Sequence, residues 1–319
     1  MFYAMQSRLV FSANSRREEL VIQRVSSVEI ESSWKLLTDR AIIVLPRNTI
    51  DFDSKKVSEL FRVGDECSIF LGYNGNLVQE FQGYVTKVSA DIPLMIKLED
   101  EMWRLKQMPV NVSMKNATLP ELLAKVLPSY KVDALDIELG TVRFPKTTVA
   151  QLLKRLQEDY SLYAYMKGKE LVCGKVYSDD SETVNYGLEN NVISTNLKYQ
   201  NAEDIRIKIE AISTQSDGSK LSVSIGDEDG ELRQLSYYNI TNKEELKRLA
   251  ELDLLKYSRD GYEGDLTSFG LPVVRHGYKA NMTSTQYPER NGRYYVESVK
   301  IRFNDAPEYR RIVQIGEAV

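Results

Sequence analysis

The sequence predicts a mainly β protein in which two β-barrel domains flank a small α+β domain. Strand-like alternation of apolar and polar residues fills the first hundred residues and returns after residue 191. Between these regions, apolar residues recur at helical spacing in two short segments. A chain of 319 residues also exceeds what one small core usually holds. We therefore expect a first barrel over 1–106, an α+β insert over 107–190 and a second barrel over 191–319.

The stretch Ser27–Asn48 contains the first predicted hairpin. In its first strand, apolar residues alternate with glutamates, which places one face in a core. In its second strand, Ala41–Leu45, both faces are apolar, because Ile42 and Val44 fill the positions between the core residues. A strand with two apolar faces needs a cover on each side. Ile42 and Val44 are therefore candidate subunit or domain contacts.

Short-range signals complete the first barrel. A short helix is expected around Lys55–Phe61. Asn74 and Gly75 lie between two alternating runs, and this dipeptide is a strong hairpin signal because both residues tolerate a positive φ. The return strand Leu77–Val88 and a last strand over Leu94–Leu98 then close the domain.

The insert contains two segments of helical period that resemble each other. Thr118 and Glu121 form a predicted capping box before the first helix. The same pattern recurs thirty residues later, at Thr148 and Gln151. Short strands precede and follow each predicted helix. We therefore expect two weakly similar βαβ units.

The second barrel is expected to contain one helix, over 242–258, opened by a capping box at Thr241–Glu244. Its main apolar stripe faces one side, but Leu252 and Leu255 lie off that stripe. These two leucines either pack between two bodies or are scattered surface residues, which are common. They are candidate interface residues together with Ile42.

The composition argues against several functional classes. A net charge of −4 lacks the basic excess of a protein dedicated to binding phosphate backbones. Cys67 and Cys173 are too few and too far apart for a disulfide framework or a zinc site, so we expect two buried thiols in a reducing compartment. His276 is the only histidine, and we expect a turn residue rather than a catalytic one.

We predict no catalytic, cofactor-binding or metal-binding residues. The string from Gly168 to Lys175 has the wrong spacing for a phosphate loop and is expected to be a hairpin. Asp227–Gly230 lacks the closing glutamate of a calcium loop and is expected to be a solvated turn. We find no signal peptide and no apolar run of about 20 residues, so we expect synthesis in the cytoplasm and no membrane insertion.

Several strings carry a family resemblance. Near the N-terminus they are VEIESSWKLLTDRAIIVLPRN, FRVGDECSIFLGYNG, EFQGYVTKV and LEDEMWRLK, and the chain closes with GRYYVESVKIRFNDAPEYRRIVQIG. They resemble the first barrel and the last hairpin of phage baseplate hub proteins, the late-control-D-like family. That family is related to the N-terminal part of type VI secretion spikes. The resemblance covers both ends of the chain and includes no catalytic signature.

The resemblance implies two tail-tube-like barrels per subunit and a homotrimer whose six barrels imitate the sixfold tube. Such a ring adapts the tail tube protein to a threefold spike and surrounds a channel through which DNA passes without specific binding. The chain ends at Val319, just after the second barrel, so a separate spike protein is expected. Whether the insert binds baseplate wedge proteins or only buttresses the ring stays open. The implied location is the virion tail baseplate, assembled in the host cytoplasm, with no cofactor.

Three alternatives remain at this point. Instead of a hub, the chain could be a tail-associated cell-wall-degrading enzyme (a hydrolase or peptidase), a type VI secretion-like spike component, or a nucleic-acid-binding barrel protein. A cell-wall-degrading enzyme usually carries a recognisable constellation of His, Cys or Glu residues. A nucleic-acid-binding protein should retain DNA in a salt-dependent way. The sequence favours the structural hub over each of these.

Overall fold

In the residues that the structure describes, the N-terminal part of the protein is a series of strands with one short helix. The structure is a computed structural model that describes residues 4–46, 57–89 and 92–319. The helix predicted around Lys55–Phe61 lies partly outside these ranges, as does the end of the predicted hairpin stretch at Asn48. The elements of this part are β1 (Met5–Phe11), β2 (Leu20–Ile22), β3 (Ser27–Ser33), β4 (Arg40–Val44), α1 (Val57–Leu60), β5 (Glu66–Tyr73), β6 (Asn76–Val88) and β7 (Met95–Glu99).

The middle part alternates strands and helices, as predicted. It begins directly after β7. Its elements are α2 (Met102–Leu105), β8 (Pro109–Thr118), α3 (Leu119–Val126), β9 (Lys131–Ala134), β10 (Glu138–Thr148), α4 (Val149–Tyr160), β11 (Ala164–Lys167) and β12 (Glu170–Cys173).

The C-terminal part returns to strands, with one long helix and two short 3-10 turns at Ala202–Asp204 and Pro288–Arg290. Its elements are β13 (Thr183–Gly187), β14 (Val192–Gln200), β15 (Ile207–Thr214), β16 (Lys220–Gly226), β17 (Glu231–Tyr238), α5 (Lys243–Tyr257), β18 (Gly261–Phe269), β19 (Lys279–Thr283), β20 (Gly292–Asn304) and β21 (Glu308–Ala318).

One 13-stranded sheet runs through both the N-terminal and the C-terminal parts. Its strand order is β14-β18-β21-β20-β3-β4-β7-β6-β5-β1-β2, and β19 pairs with β20 and with β13 beside this path. The two parts meet at an antiparallel pair, β3 and β20, in which Ser27 lies opposite Asn304 and Ser33 opposite Ser298. We call this pair the seam. The mainly β class with an α+β insert is thus confirmed.

The structure differs from the predicted pair of barrels in one respect. Across the described residues the sheet path does not close, because it ends at β14 on one side and at β2 on the other. The strands β3 and β20, one from each predicted barrel, pair with each other instead. A free strand edge presents unpaired backbone groups, and pairing two such edges satisfies both.

The inner faces of the strands on both sides of the seam form one shared core. Alternation places every second side chain on this face, as the sequence predicts. The core residues nearest the seam, each no more than 6% exposed, are Val28, Ile30, Ala41, Ile43, Ile96, Leu98, Val299, Ile301, Phe303 and Val313.

A buried ion pair also joins the two parts inside this core. The Arg311 guanidinium of β21 contacts the Glu80 carboxylate of β6, and both side chains are at most 1% exposed. Glu80 accepts a second hydrogen bond from the Tyr309 hydroxyl at 2.7 Å, and Arg311 Nε donates to the Gly270 carbonyl at 2.6 Å. Removing one member of such a pair leaves an uncompensated buried charge, which makes the pair expensive to break.

The insert has the predicted order of strand, helix and strand twice, but the two strands of each predicted βαβ-like unit lie in different sheets, β10-β8 and β11-β12-β9. The strands β8 and β10 pair antiparallel, and α3 and α4 follow them directly. Both helices begin with a complete capping box, formed by Thr118 with Glu121 and by Thr148 with Gln151. The apolar sides of both helices pack into one core of their own.

The helix predicted over 242–258 exists as α5, but it does not belong to a barrel. It packs on a separate three-stranded sheet, β16-β15-β17, and the two share a small core of their own. Its N-cap is Asn242 rather than Thr241, since the Asn242 side chain accepts a hydrogen bond from the Glu244 amide at 2.8 Å. The domain limits 1–106, 107–190 and 191–319 stay predictions. None of the helices in the described ranges is both long and apolar enough to cross a lipid bilayer.

Replacing Glu80 by glutamine should destabilise the protein strongly. The variant keeps the shape of the side chain but leaves the Arg311 charge buried without a counter-charge, at a cost of about 3–5 kcal/mol. Urea unfolding of the wild type and the variant measures the difference. Glu158→Gln is the matched control, because its ion pair with Lys154 is exposed and should be worth at most about 1 kcal/mol. Equal effects of the two substitutions would show that the buried pair does not hold the two parts together.

Candidate functional site

Ile42 and Val44 lie on the outer face of the large sheet, opposite the shared core. Ile42 is placed directly across from Glu29 on β3 and Lys97 on β7, and Val44 lies across from Met95. Ile42 and Val44 are half-buried, and Met95 is 37% exposed. The predicted second apolar face therefore exists. It is a small apolar surface patch formed by Ile42, Val44 and Met95 and bordered by charged residues.

Leu252 and Leu255 point away from the core that α5 shares with its sheet. They are 47% and 64% exposed, whereas Leu246 and Ala250 on the opposite side of the helix are fully buried. The structure thus places the two predicted leucines on an accessible helix face. They belong to a different unit from Ile42.

The two ends of the large sheet differ in length. The strand β14 has nine residues and pairs only with β18, and β2 has three residues and pairs only with β1. The residues of β14 include one charge, Lys198. Proteins usually protect an edge strand with charges, prolines or bulges. The one register irregularity of β14 lies at its start, between Val192 and Ser194, so the rest of the edge is suited to pairing with another chain.

An aromatic cluster joins the N-terminal part, the insert and the C-terminal part. Trp34, at the tip of the β3–β4 hairpin, donates a hydrogen bond from Nε1 to the Tyr177 hydroxyl at 3.2 Å. Its ring also meets the Tyr163 ring edge-on, with centroids 4.9 Å apart. Tyr177 in turn stacks on Tyr295 of β20 at 4.3 Å. Sequence reasoning missed this cluster, and the one available signal was the large number of tyrosines, 19.

A buried glutamate, Glu101, forms a second contact between the N-terminal part and the insert. Glu101 accepts hydrogen bonds from the Tyr84 hydroxyl of β6 at 2.9 Å and from the Tyr130 hydroxyl at 2.6 Å. Arg104 lies 3.5 Å from the same carboxylate. Burial raises the pKa of Tyr84 to about 12, and the hydrogen bond to Glu101 adds to this shift. The phenol therefore stays protonated and remains a donor at neutral pH.

A half-buried carboxylate, Asp39, and a buried one, Asp100, lie next to each other where β4 begins and β7 ends. The Asp39 amide donates to the Asp100 carboxylate at 3.2 Å, and the Asp100 amide donates to the Asp39 carbonyl at 3.1 Å. Burial raises the pKa of Asp39 to about 6, although hydrogen bonds from Ser32 and Ser33 and the charge of Arg275 lower it. Burial and the nearby Asp39 also hold the pKa of Asp100 well above its usual value.

The remaining candidates from the sequence show no arrangement for chemistry. Cys67 and Cys173 are buried free thiols, as predicted, and burial raises the pKa of Cys173 to about 12. His276 lies in a turn against the Tyr165 ring, and burial lowers its pKa to about 4, so it is neutral at pH 7. The stretch from Gly168 to Lys175 contains the turn of the β11–β12 hairpin and the strand β12. Within the described ranges, no group of three His, Cys, Asp or Glu side chains is placed to hold a metal ion.

The architecture matches solved tail proteins. A tail protein from Neisseria meningitidis superimposes with a TM-score of 0.65 over 98% of this chain and 96% of its own, at 12% identity. The 43 kDa tail protein of a Shewanella oneidensis prophage gives 0.63 over 97% of both chains, at 15% identity. An E. coli type VI secretion component gives 0.55 over 92% of this chain and 73% of its own, at 9% identity. The chain has the fold of phage tail proteins.

These likenesses concern the fold alone, because all the identities are low. No protein-family model matches the sequence, and no curated protein matches it significantly. The coverage nevertheless extends over nearly the whole chain in both tail proteins, so the insert and the α5 unit belong to the shared architecture. The expected class of fold is therefore confirmed over the full length.

Replacing Asp39 by asparagine should raise stability at neutral pH. The folded-state pKa of Asp39, about 6, exceeds the ordinary value of 3.8, so its carboxyl favours folding when protonated. This contribution is complete below about pH 4 and is lost as the pH rises through about 6, up to about 3 kcal/mol. The free energy of unfolding of variant and wild type should therefore diverge between pH 4 and pH 7. A difference that does not change with pH would contradict a raised pKa at Asp39.

Proposed function

We propose that this chain is the structural baseplate hub of a phage, prophage or tailocin tail. In this proposal three copies form a ring that adapts the sixfold tail tube to a threefold spike and surrounds the DNA channel. The observation that carries it is the single sheet through both parts of the chain, which is open at β14 and at β2. The likeness to tail proteins over the full length supports the same assignment.

The open sheet gives a physical reason for ring formation. A contact between the β14 end of one copy and the β2 end of the next is heterologous, and such contacts close into a ring when the rotation permits. A closed ring of this kind covers β14 and β2, which removes the aggregation hazard of the long free strand β14. Three copies, each contributing an N-terminal and a C-terminal part, place six similar bodies around the axis.

The proposed partners follow from this role. The ring meets the tail tube protein on one side and a separate spike protein on the other, and the insert either binds wedge proteins or buttresses the ring. The chain then works in the virion tail baseplate, after assembly in the host cytoplasm. The likeness to a type VI secretion component also favours a second candidate, a type VI-like spike component with the same ring.

We propose that Leu252 and Leu255 contribute a subunit contact. Exposed leucines three positions apart on one helix face give an apolar strip that costs free energy in water. Ile42 and Val44 are weaker candidates, because both are already half-buried and charged residues border them. The two pairs can be tested separately.

Leu252→Asp with Leu255→Asp should convert the trimer into monomer. Two buried carboxylates in an apolar contact leave charges without partners, so association should weaken by orders of magnitude. Light scattering measures the mass, which should fall from three times 36.5 kDa to 36.5 kDa. A wild-type protein that is monomeric and forms no ring with tube or spike protein would refute the hub.

The matched comparison is Ile42→Lys with Val44→Glu. Since both side chains point away from the core, this variant should fold and keep the trimer. Loss of the trimer here, with the α5 variant still trimeric, would move the subunit contact to the β4 face.

The purified protein should produce no lytic band in zymography on bacterial cell walls. The reason is that no group of three His, Cys, Asp or Glu side chains in the described ranges is placed to hold the metal ion of a metal-dependent hydrolase, and both thiols are buried. A catalytically active phage endolysin in the next lane serves as the positive control. A lytic band from this chain would favour the enzyme alternative instead.

A further inference from the structure

The outer face of the large sheet carries a transverse row of positive charges. Residues directly opposite each other on neighbouring strands point to the same side of a sheet. Successive pairings therefore define one row across seven strands, which we call the cation row. Its members, from β6 to β18, are Lys87, Lys97, Ile42, Glu29, Arg302, Arg310 and Phe269.

The cation row places like charges directly opposite each other twice, as Lys87 with Lys97 and as Arg302 with Arg310. Like charges in this position destabilise a sheet. In the neighbouring row on the same face, charges alternate in sign from strand to strand, so that opposite charges lie across from each other. That row contains Glu99, Arg40, Glu31 and Lys300. The repulsion is thus confined to the cation row.

Among the described residues, no carboxylate lies within ion-pair distance of these cations. Lys87, Lys97 and Arg302 are exposed, and none of them forms an ion pair with a described residue. Arg310 packs on the Phe269 ring at 5.2 Å, which leaves its charge uncompensated. Four cations against the one carboxylate of Glu29 give the row a charge of +3, whereas the whole chain carries −4.

The dimensions of the cation row fit an extended polyanion. Its cations span six neighbouring strands, from β6 to β21, and five strand spacings amount to about 24 Å. A nucleic-acid backbone presents phosphates at regular short intervals over such a length. A protein partner would need an apolar centre with few charges, and four of the seven positions here are cations.

We infer that the cation row contacts the phosphate backbone of a nucleic acid, without sequence preference. About four phosphate contacts on an acidic chain give weak, salt-sensitive binding, which holds a passing strand without stopping it. The acidic composition predicts a channel that does not retain DNA, and the row is a local exception to that expectation. The inference rests on the proposed function only for the source of the nucleic acid, since a monomer presents the same face.

The test measures the affinity of the protein for a fluorescently labelled DNA duplex at several salt concentrations, with fluorescence anisotropy as the readout. Each phosphate contact contributes about −0.9 to the slope of log K against log salt. Four contacts predict a slope of about −3.6, or a roughly 150-fold loss of affinity between about 50 and 200 mM salt. Lys97→Gln with Arg302→Gln removes one cation from each like-charged pair and should leave a slope of about −1.8, or a roughly 12-fold loss.

The control is Lys154→Gln with Arg155→Gln, which removes the same charge from the exposed face of α4 and should leave the slope unchanged. Urea unfolding checks that the row variant folds, and its midpoint should equal or exceed that of the wild type because the repulsion is relieved. Absence of DNA retention at low salt, or an equal effect of the control, overturns the inference. If the protein is a trimer that does not bind DNA, the inference about the cation row fails and the proposed hub function stands. If it is a monomer that binds DNA through the cation row, the hub proposal fails and the inference stands.

Discussion

The pairing of β3 with β20 is the constraint on which the architecture depends. It connects two strands that are far apart in the sequence, merges two sets of strands into one sheet and places their inner faces around one core. The pair Arg311–Glu80 lies inside that core and ties β21 to β6. A buried charge without a partner is strongly unfavourable. The ion pair therefore disfavours any docking of the two parts that separates Arg311 from Glu80. The seam provides backbone hydrogen bonds between the two parts, and the ion pair adds a buried side-chain contact between them.

Local features of the fold could be read from the sequence. The Asn74-Gly75 hairpin, the two capping boxes of the insert and the helix over 242–258 all depend on residues close together in the chain. The seam could not be read, because period-two alternation shows which side of a strand is buried and is silent about its neighbour. The separate α5 unit was missed for the same reason. Alternation places Arg311 on the face of Tyr309 and Val313, but no local signal identifies Glu80 as its partner.

The candidate site was predicted in part. The second apolar face at Ile42 and Val44 exists, but its meaning depends on what lies beside it in the sheet. Two pairs of consecutive strands that lie far apart in the sequence, β6–β7 and β20–β21, bring their cations into one row, and only the register reveals it. Net charge conceals such a row, because a sum over 319 residues carries no information about position. The apolar exposure of Leu252 and Leu255, by contrast, followed from helical periodicity alone.

The aromatic cluster around Trp34 has a mechanical consequence. Tyr177 belongs to the segment that leaves the insert, and its ring is held between the hairpin tip at Trp34 and the strand residue Tyr295. The connection between the insert and the sheet is therefore braced by packed rings at the end of the seam. A force applied to the insert passes directly into the seam strands. The packed rings therefore restrict movement of the insert relative to the sheet.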